Sequence, residues 1–332
     1  MAITLAEAKV GMANKVDQQV VDEFRRSSLL LDHLIFDNAI SPGTGGSTLT
    51  YGYIQLSSPR TAGTRAINSE YTAAEAKRTE KTAKAIVMGG SFQIDRVIQD
   101  TSGAINELNF QMEQAIKATS NYFHNLVING TSASSGTGYV TSTFDGLKAL
   151  ASASGGNKTS ATVSLAGESE TASNYQAFLD EVDAWLSTMD GRPTMLLMNT
   201  KMLNKMRSCA RRAGYYDRTK DDFGRYVESY NGIPLMDAGY YYNGTATEEI
   251  IKTTAASASA AGTTDMYAVN IALDGFHGIA PTGSKVINTY LPDFSEPGAV
   301  KKGEVELVAG VVAKNTKKIA MFSGIPIVAK TA

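Results

Sequence analysis

The stretch from Ser57 to Lys81 constrains this chain most, because it lies between two strand-like segments and has almost nothing to bury. On its N-terminal side, Thr48 to Gln55 sets Leu49, Tyr51 and Tyr53 against Thr50, Gly52 and Ile54, the period-two pattern of a strand. On its C-terminal side, Thr82 to Ile94 reads as a second strand, with Ile86, Val87, Met88 and Phe92. The stretch between carries Arg60, Arg65, Glu70, Glu75, Lys77, Arg78 and Glu80, and its large apolar residues are chiefly Ile67 and Tyr71. Two strands joined by about twenty-five polar residues form a long ribbon, and such a ribbon alone in water is marginal. Loops of this length are usually functional or disordered. The ribbon therefore needs another surface to lie on.

The preceding segment has the same deficit. Ala6 to Phe36 carries a patchy helical pattern of Val16, Val20, Val21, Phe24, Leu29, Leu30 and Leu34, interrupted by Arg25 and Arg26. These apolar residues are too few for an independent core, so residues 1 to about 40 read as an arm that needs a partner surface. The turn cluster Ser41-Pro42-Gly43-Thr44-Gly45-Gly46 ends it.

The remainder can build a core. Thr101 to Ile128 is the strongest helical pattern, with Ile105, Leu108, Met112, Ala115, Ile116, Phe123, Leu126 and Val127 at three- and four-residue steps and Asn129-Gly130 as its stop. At about 1.5 Å per residue it spans roughly 40 Å. Residues 131 to 170 are rich in Ser, Thr, Ala and Gly, with one compact apolar turn at Thr143-Phe144-Asp145-Gly146-Leu147. A second helix is expected from Ser173, whose spacing to Gln176 fits a capping box, with an apolar stripe of Tyr175, Phe178, Leu179, Val182, Trp185, Leu186 and Met189 and an end at Asp190-Gly191. Thr194 to Met198 reads as a buried strand, and Thr200 to Ala213 as a helix with Met202, Leu203, Met206 and Cys209 facing in and Gly214 stopping it. Strands are expected at Ile233–Met236, Met266–Ala272, Ser284–Tyr290, Glu304–Ala313 and Lys318–Phe322, and a mobile surface loop at Thr253–Thr264. With no regular βαβ alternation, the fold class is α+β.

The search for chemistry finds no constellation. His33, His124 and His277 are far apart and show no metal-ligand spacing; His124 reads as structural, and His277, in Gly275-Phe276-His277-Gly278, reads as a turn residue with no nucleophile motif beside it. Gly43-Thr44-Gly45-Gly46-Ser47-Thr48 lacks the Gly-Lys pair of a phosphate loop and precedes a strand, so it reads as a hinge. Asp180, Glu181 and Asp183 fall on the solvent side of their helix. Tyr240-Tyr241-Tyr242, without basic neighbours, reads as a subunit contact rather than a base-stacking platform. We therefore expect no catalytic, cofactor or metal site. The 31 Lys and Arg against 33 Asp and Glu, a net charge of -2, leave no basic footprint for nucleic acid. Cys209 is the single cysteine, so no disulfide forms within one chain. Residues 1–10 do not read as a secretory signal, no run of eighteen apolar residues exists, and the Asn-x-Thr sequons at Asn129, Asn157 and Asn243 are chance; a cytoplasm-like compartment is expected.

The order of these parts resembles the major capsid proteins of tailed bacteriophages, whose fold is shared by encapsulin shells and the herpesvirus capsid floor. The resemblance rests on an arm, a long two-stranded loop, a long helix ending in Asn129-Gly130 and then Phe144-Asp145-Gly146-Leu147. Arg192-Pro193-Thr194-Met195-Leu196-Leu197-Met198-Asn199 before a helix, Asn231-Gly232-Ile233-Pro234-Leu235, and Met266-Tyr267-Ala268-Val269 with Asp274-Gly275 are similar to later parts of that family. It implies an N-terminal arm over 1–45, an extended β-hairpin loop over 46–92, a peripheral domain with a long spine helix over 93–147 and 285–320, and an axial domain over 148–284, whose sheet residues 321–332 are free to rejoin. It implies a non-enzymatic subunit that assembles into pentamers and hexamers of an icosahedral shell in the virion, built in the host cytoplasm, touching packaged DNA weakly and without sequence specificity, and no membrane. A portal, a protease and a separate scaffolding protein remain open partners, the last favoured by a chain beginning at Met1 without a long scaffolding segment. An encapsulin-type shell around protein cargo is the alternative; an enzyme or a tail-tube or adhesin protein is less in keeping with the pattern. Some members of the family crosslink a loop Lys to a neighbour's Asn with a Glu as base. Lys77, Asn288 or Asn315, and Glu304 or Glu306 are the candidates here, but Lys77 and Asn315 lie among charged residues, so no crosslink is expected.

Overall fold

The computed structural model describes residues 29–40, 49–101, 106–132, 143–214, 217–220, 226–281, 287–295 and 297–331. Of the expected arm over 1–45, residues 1–28 and 41–45 lie outside them, as does the hinge over 43–48.

A short helix α1 (Leu29–His33) leads into β1 (Phe36–Ile40). The ribbon is β2 (Thr50–Ser58) against β3 (Lys77–Lys84), followed after Ala85 by β4 (Ile86–Asp95), α2 (Arg96–Thr101), the spine helix α3 (Glu107–Asn129) and α4 (Leu147–Ser152). Then come β5 (Lys158–Ser160), α5 (Gly167–Leu186), β6 (Met195–Met198), α6 (Thr200–Ala213), β7 (Asp217–Lys220), β8 (Tyr226–Tyr230), β9 (Ile233–Asp237), β10 (Tyr240–Tyr242), β11 (Thr247–Glu249) and β12 (Gly262–Val269). The chain closes with β13 (Phe276–Pro281), β14 (Ile287–Tyr290), β15 (Val300–Ala313) and β16 (Ile319–Val328). Helices and strands mix without βαβ repetition, the expected α+β class.

Two sheets carry the body. The first centres on β15, which pairs antiparallel with β4 along Val300–Ala309, with β14 along Glu304–Leu307 and with β13 along Gly310–Ala313. Strand β1 adds to β13 in parallel. The second has the order β5-β16-β12-β6-β9-β8-β7. In this second sheet, alternation assigns side chains to two different cores. Leu196, Met198, Met266, Ala268, Ala320 and Phe322 pack with Phe178, Val182 and Trp185 of α5 and Met202 and Met206 of α6. Their neighbours Met195, Leu197, Tyr267, Val269, Ile319 and Met321 join the core of Phe123, Val127, Phe144, Leu307 and Val311 under the spine helix. A strand covered on both faces must be apolar throughout, which is why Met195–Met198 is an unbroken run, buried at every residue.

Local signals explain most boundaries. Asn199 caps α6 by accepting from the Met202 N–H at 2.8 Å, and Asn106 caps α3 by accepting from Asn109 N–H at 3.2 Å. The turn after the spine helix docks on its end: Gly146 N–H donates to Gly130 O at 2.9 Å, and the Phe144 ring meets Phe123 edge-on at 6.0 Å. Other expectations need correction. Helix α5 begins at Gly167, not at Ser173, whose hydroxyl instead donates back to Ser169 O within the helix. The helical signal from Thr101 divides into α2 and α3. The second ribbon strand starts at Lys77, inside the polar stretch, and the segment expected as one strand over Thr82–Ile94 splits at Ala85 between two sheets.

Trp185 stacks on Phe322 at 5.4 Å with both rings fully buried, so they form one packed unit between α5 and the sheet. Truncating Phe322 to Ala should lower unfolding stability by about 3–5 kcal/mol through lost burial and the remaining cavity, measured by chemical denaturation followed through Trp185 fluorescence.

Candidate functional site

The ribbon divides its residues cleanly between two faces. Tyr51, Tyr53 and Gln55 are half-buried, whereas Gly52, Ile54 and Leu56 alternate with them and are exposed, Ile54 at 70% and Leu56 at 60%. The register places Ile54 opposite Glu80 and Leu56 opposite Arg78, so the outer face is an apolar row edged by charge. Beyond the paired region Ile67 is 92% exposed and Tyr71 64%. Among the described residues these four are the projecting part's large apolar side chains; the Arg65 guanidinium lies 5.4 Å over the Tyr71 ring, and Ile54, Leu56 and Ile67 stay exposed.

The inner face attaches the ribbon to the body. Tyr51, Tyr53 and Ala83 pack on Ala85, Ile279 and Val312. Gln55 Nε2 donates to Lys314 O at 3.2 Å, Tyr53 Oη donates to Ala313 O at 3.4 Å, and Ala85 N–H donates to Leu49 O at 2.8 Å. Burial, with the Tyr51 phenol beside it, raises the Tyr53 pKa above the usual tyrosine value. Gly310 lies where the ribbon leaves the sheet; a Cβ there would stand 2.4 Å from Lys84 O, so only glycine lets the two backbones approach.

Beneath Tyr51 three polar groups from separate segments meet: Asp37, His277 and Lys314. Tyr51 Oη donates to Asp37 Oδ2 at 3.1 Å; Lys314 Nζ is 3.8 Å from the same oxygen and 5.3 Å over the Tyr51 ring; the imidazole of His277 meets that ring edge-on at 6.3 Å. Sequence reading placed His277 at a turn. It lies within β13, fully buried. No sequence signal joined Asp37, His277 and Lys314, which are far apart in the chain; the alternation of Tyr51 and Tyr53 was the one available pointer.

His124 is fully buried in α3 and His33 is exposed on α1; no group of three or more His, Cys, Asp or Glu among the described residues could hold a metal. Burial pushes the Cys209 thiol up to about 11, which keeps it an unreactive core residue. Two of the three carboxylates expected on a solvated helix face do structural work: Glu181 accepts from the Thr162 N–H and hydroxyl, both at 2.8 Å, and Asp183 accepts from Tyr230 Oη at 2.9 Å. The three tyrosines of β10 pair with β11 and hang on the spine helix, where Asn121 Nδ2 donates to Tyr240 O at 3.0 Å and Asn121 Oδ1 accepts from Tyr242 N–H at 3.0 Å. Of the crosslink candidates, Asn288 and Glu306 stand opposite each other in β14 and β15. Asn315 caps a turn by accepting from Lys317 N–H at 2.9 Å and donates to Asp190 at 3.0 Å; Glu304 pairs with Lys302; Lys77 is exposed at the start of β3. No helix among the described residues is long and apolar enough to cross a membrane.

Neither a protein-family model nor a curated protein matches the sequence. Solved structures do match the fold. The holo-SrpI encapsulin complex from Synechococcus elongatus is similar with a TM-score of 0.65 at 12% identity, over 100% of this chain and 99% of that one. The capsid of Myoviridae phage XM1 is similar with a TM-score of 0.60 at 13% identity, over 98% and 99%. The capsid of the native GTA particle follows with 0.58 at 12%, over 98% and 100%. Likeness at such identities is a likeness of fold, and it runs end to end: this chain has the α+β fold of capsid and encapsulin shell proteins.

The two faces of the ribbon predict two dynamic regimes. In the free subunit, amides of residues 59–76 should exchange within seconds, while those of the root around Tyr51 and Ala83 are protected several-fold more, because only the root has buried partners. In an assembled particle, residues 59–76 should gain protection. Strong protection of residues 59–76 in free subunits would contradict this.

Proposed function

We propose that the chain is the major capsid protein of a tailed phage, a structural subunit that closes with its copies into an icosahedral shell around the genome. The observation that carries this reading is the ribbon: an apolar row of Ile54 and Leu56, with Ile67 and Tyr71 beyond, projects from a body whose fold is that of shell proteins, and a neighbouring copy is the surface that would cover it. Its division of labour is an arm over 1–45, the extended loop over 46–92 with β4 crossing out of it into the β15 sheet, a peripheral domain over 93–147 and 285–320, an axial domain over 148–284, and a C-terminal segment over 321–332 that rejoins the axial sheet through β16. In this reading arm and loop lie across neighbours, axial domains gather at the ring centres, and pentamers and hexamers form. Obligate interfaces of this kind bury more than ~2,000 Å², and repetition over the shell multiplies each contact. The chain acts without a catalytic site, metal or cofactor; portal, protease, a separate scaffolding protein and weakly held DNA are its candidate partners, in a virion assembled in the host cytoplasm.

A second reading, a shell around protein cargo, draws on the same likeness of fold, which an encapsulin and the phage XM1 capsid share with this chain at 12% and 13% identity. Particle contents separate the two. Purified particles holding nuclease-protected DNA support the phage shell, and a protein cargo with no DNA supports the compartment.

Assembly itself is tested by size. The purified chain should run as rings or closed particles under the electron microscope, and deletion of residues 1–40 should block closure while far-ultraviolet circular dichroism remains helical. A truncated chain that closes normal particles would overturn the role given to the arm.

The shell should hold together without covalent crosslinks. An amide bond between subunits needs a neutral, desolvated Lys amine, a free carboxamide and a carboxylate poised to take a proton. Lys77 is exposed, the Asn315 carboxamide is committed to a cap and to Asp190, and Glu304 shares its carboxylate with Lys302 on a surface where the two side chains are 41% and 53% exposed. Asn288 and Glu306 stand opposite each other on paired strands, and the loop amine that would have to reach such a pair is the solvated Lys77. Boiled in detergent, mature particles should give a single band near 35 kDa on a denaturing gel; a ladder of multimers would refute this.

A further inference from the structure

The group at the ribbon root that the shell reading leaves unused is His277. Its side chain is fully buried, and neither ring nitrogen has a hydrogen-bond partner among the described residues. Its surroundings come from four segments. Strand β1 supplies Asp37, whose Oδ2 is 4.0 Å from Nε2. Strand β2 supplies the Tyr51 ring that covers the imidazole. The residue after β15 supplies Lys314, and on β15 itself the cross-strand neighbour is the apolar Val312. Asp274, in the turn before β13, pairs with Lys318 from the turn between β15 and β16. The carbonyls of Gly275 and Ala272 lie close enough to favour a protonated ring, but not in hydrogen-bonding geometry.

We propose that His277 is an acid-sensitive latch on the ribbon: as a neutral ring it lets Tyr51 seat against β13, and on taking a proton from solvent it drives the root of β2 and β3 off the body. An imidazolium in this place would be a cation without water, beside a second cation, with one carboxylate at a distance too long for a hydrogen bond. Burial opposes protonation most, Lys314 opposes it further, and Asp37 and the two carbonyls only partly offset them, so the seated ring titrates below the usual 6.5. Removal of the ribbon is the least disruptive way to hydrate the charge. Tyr51 is the ring that covers it, and the root is held by the few contacts of Tyr51, Tyr53, Gln55 and Ala83, whereas β13 is locked between β1 and β15.

The direction follows from linkage. Because the seated ring has the lower pKa and the released ring an ordinary one, the seat is fully stable above about pH 6.5 and weakens as pH falls through the seated value. Each pKa unit by which the seat depresses the ring is worth a tenfold shift in the opening equilibrium. The inference concerns the subunit's own ribbon and holds whichever cargo the assembled particle encloses.

The test is hydrogen exchange on free, full-length subunits, corrected for the intrinsic pH dependence of exchange. From about pH 7.5 to about pH 5, opening of residues 50–56 and 79–84 should rise, with the amides around Trp185 as an unchanged control. In the His277→Phe variant the rise should vanish, since a phenyl ring keeps the edge-on contact with Tyr51 and replaces nitrogens that have no hydrogen-bond partner. If that variant does not fold, Lys314→Met decides: with the opposing cation gone, the ring should protonate more easily and the acid response should shrink. The His277 imidazole, followed by NMR in wild type, should titrate below an ordinary histidine. An opening that is flat with pH in wild type, an acid response undiminished in His277→Phe or Lys314→Met, or an ordinary His277 titration would each overturn the proposal.

Discussion

The hydrogen-bond ladder of β15 is the contact on which the rest of the molecule depends. Its fourteen residues satisfy β4 over one stretch, β14 over part of the same stretch and β13 over the remainder. The side chains sort with the pairing: Val305, Leu307, Ala309 and Val311 are buried, three of them in the core under the spine helix, while Glu304 and Glu306 alternate away from it. Because β3 and β4 are separated by Ala85 alone, the same ladder sets the direction in which the ribbon leaves. A change that loosens β15 therefore reaches the spine helix, the β14 edge and the ribbon root together.

The second sheet links the two halves of the body through alternation. Leu196 and Leu197 are adjacent in sequence yet belong to different cores, one with Trp185 and Phe322, the other with Phe123 and Val127. This shared sheet leaves little freedom between the halves, since shifting β6 by one residue would exchange the two sets of side chains. The rigidity of the body contrasts with the ribbon, whose anchoring is a single half-buried face. Such a pairing suits a piece that must find a neighbouring copy: ordering entropy is lost only when apolar residues such as Ile54 and Leu56 are covered.

Much of this was legible in the sequence where a local rule determined the outcome. Helix α6 shows its inward stripe of Met202, Leu203, Met206 and Cys209 and its stop at Gly214, and both hold in the structure. The stripe of α5 was equally clear, but its start was not. The helix begins six residues before Ser173, where Thr171 donates to Leu165 O at 3.0 Å and Lys205 from α6 donates to Leu165 O at 2.7 Å, a tertiary brace with no local pattern. The break at Ala85 was hidden because Thr82 to Ile94 is continuously extended; what changes there is the partner strand, from β2 to β15, and partner choice is not written in the period of one strand.

His277 is the clearest case of a residue whose meaning lies outside its own segment. Glycines on both sides made Gly275-Phe276-His277-Gly278 look like a turn, but Gly278 is needed for close approach: a Cβ there would stand 2.7 Å from the Phe36 ring. The absent side chain lets β1 lie against β13, and that contact delivers Asp37 to the ribbon root. One glycine thus couples the strand at the end of the arm, the ribbon and the buried imidazole. Since Tyr51 both shields His277 and bonds Asp37, hydration of one group and release of the other occur at the same contact. A ribbon held this way does not loosen gradually along its length. Its outer portion is free of the body throughout, and its root is either seated or not, because the one aromatic ring that closes over the imidazole cannot be half removed.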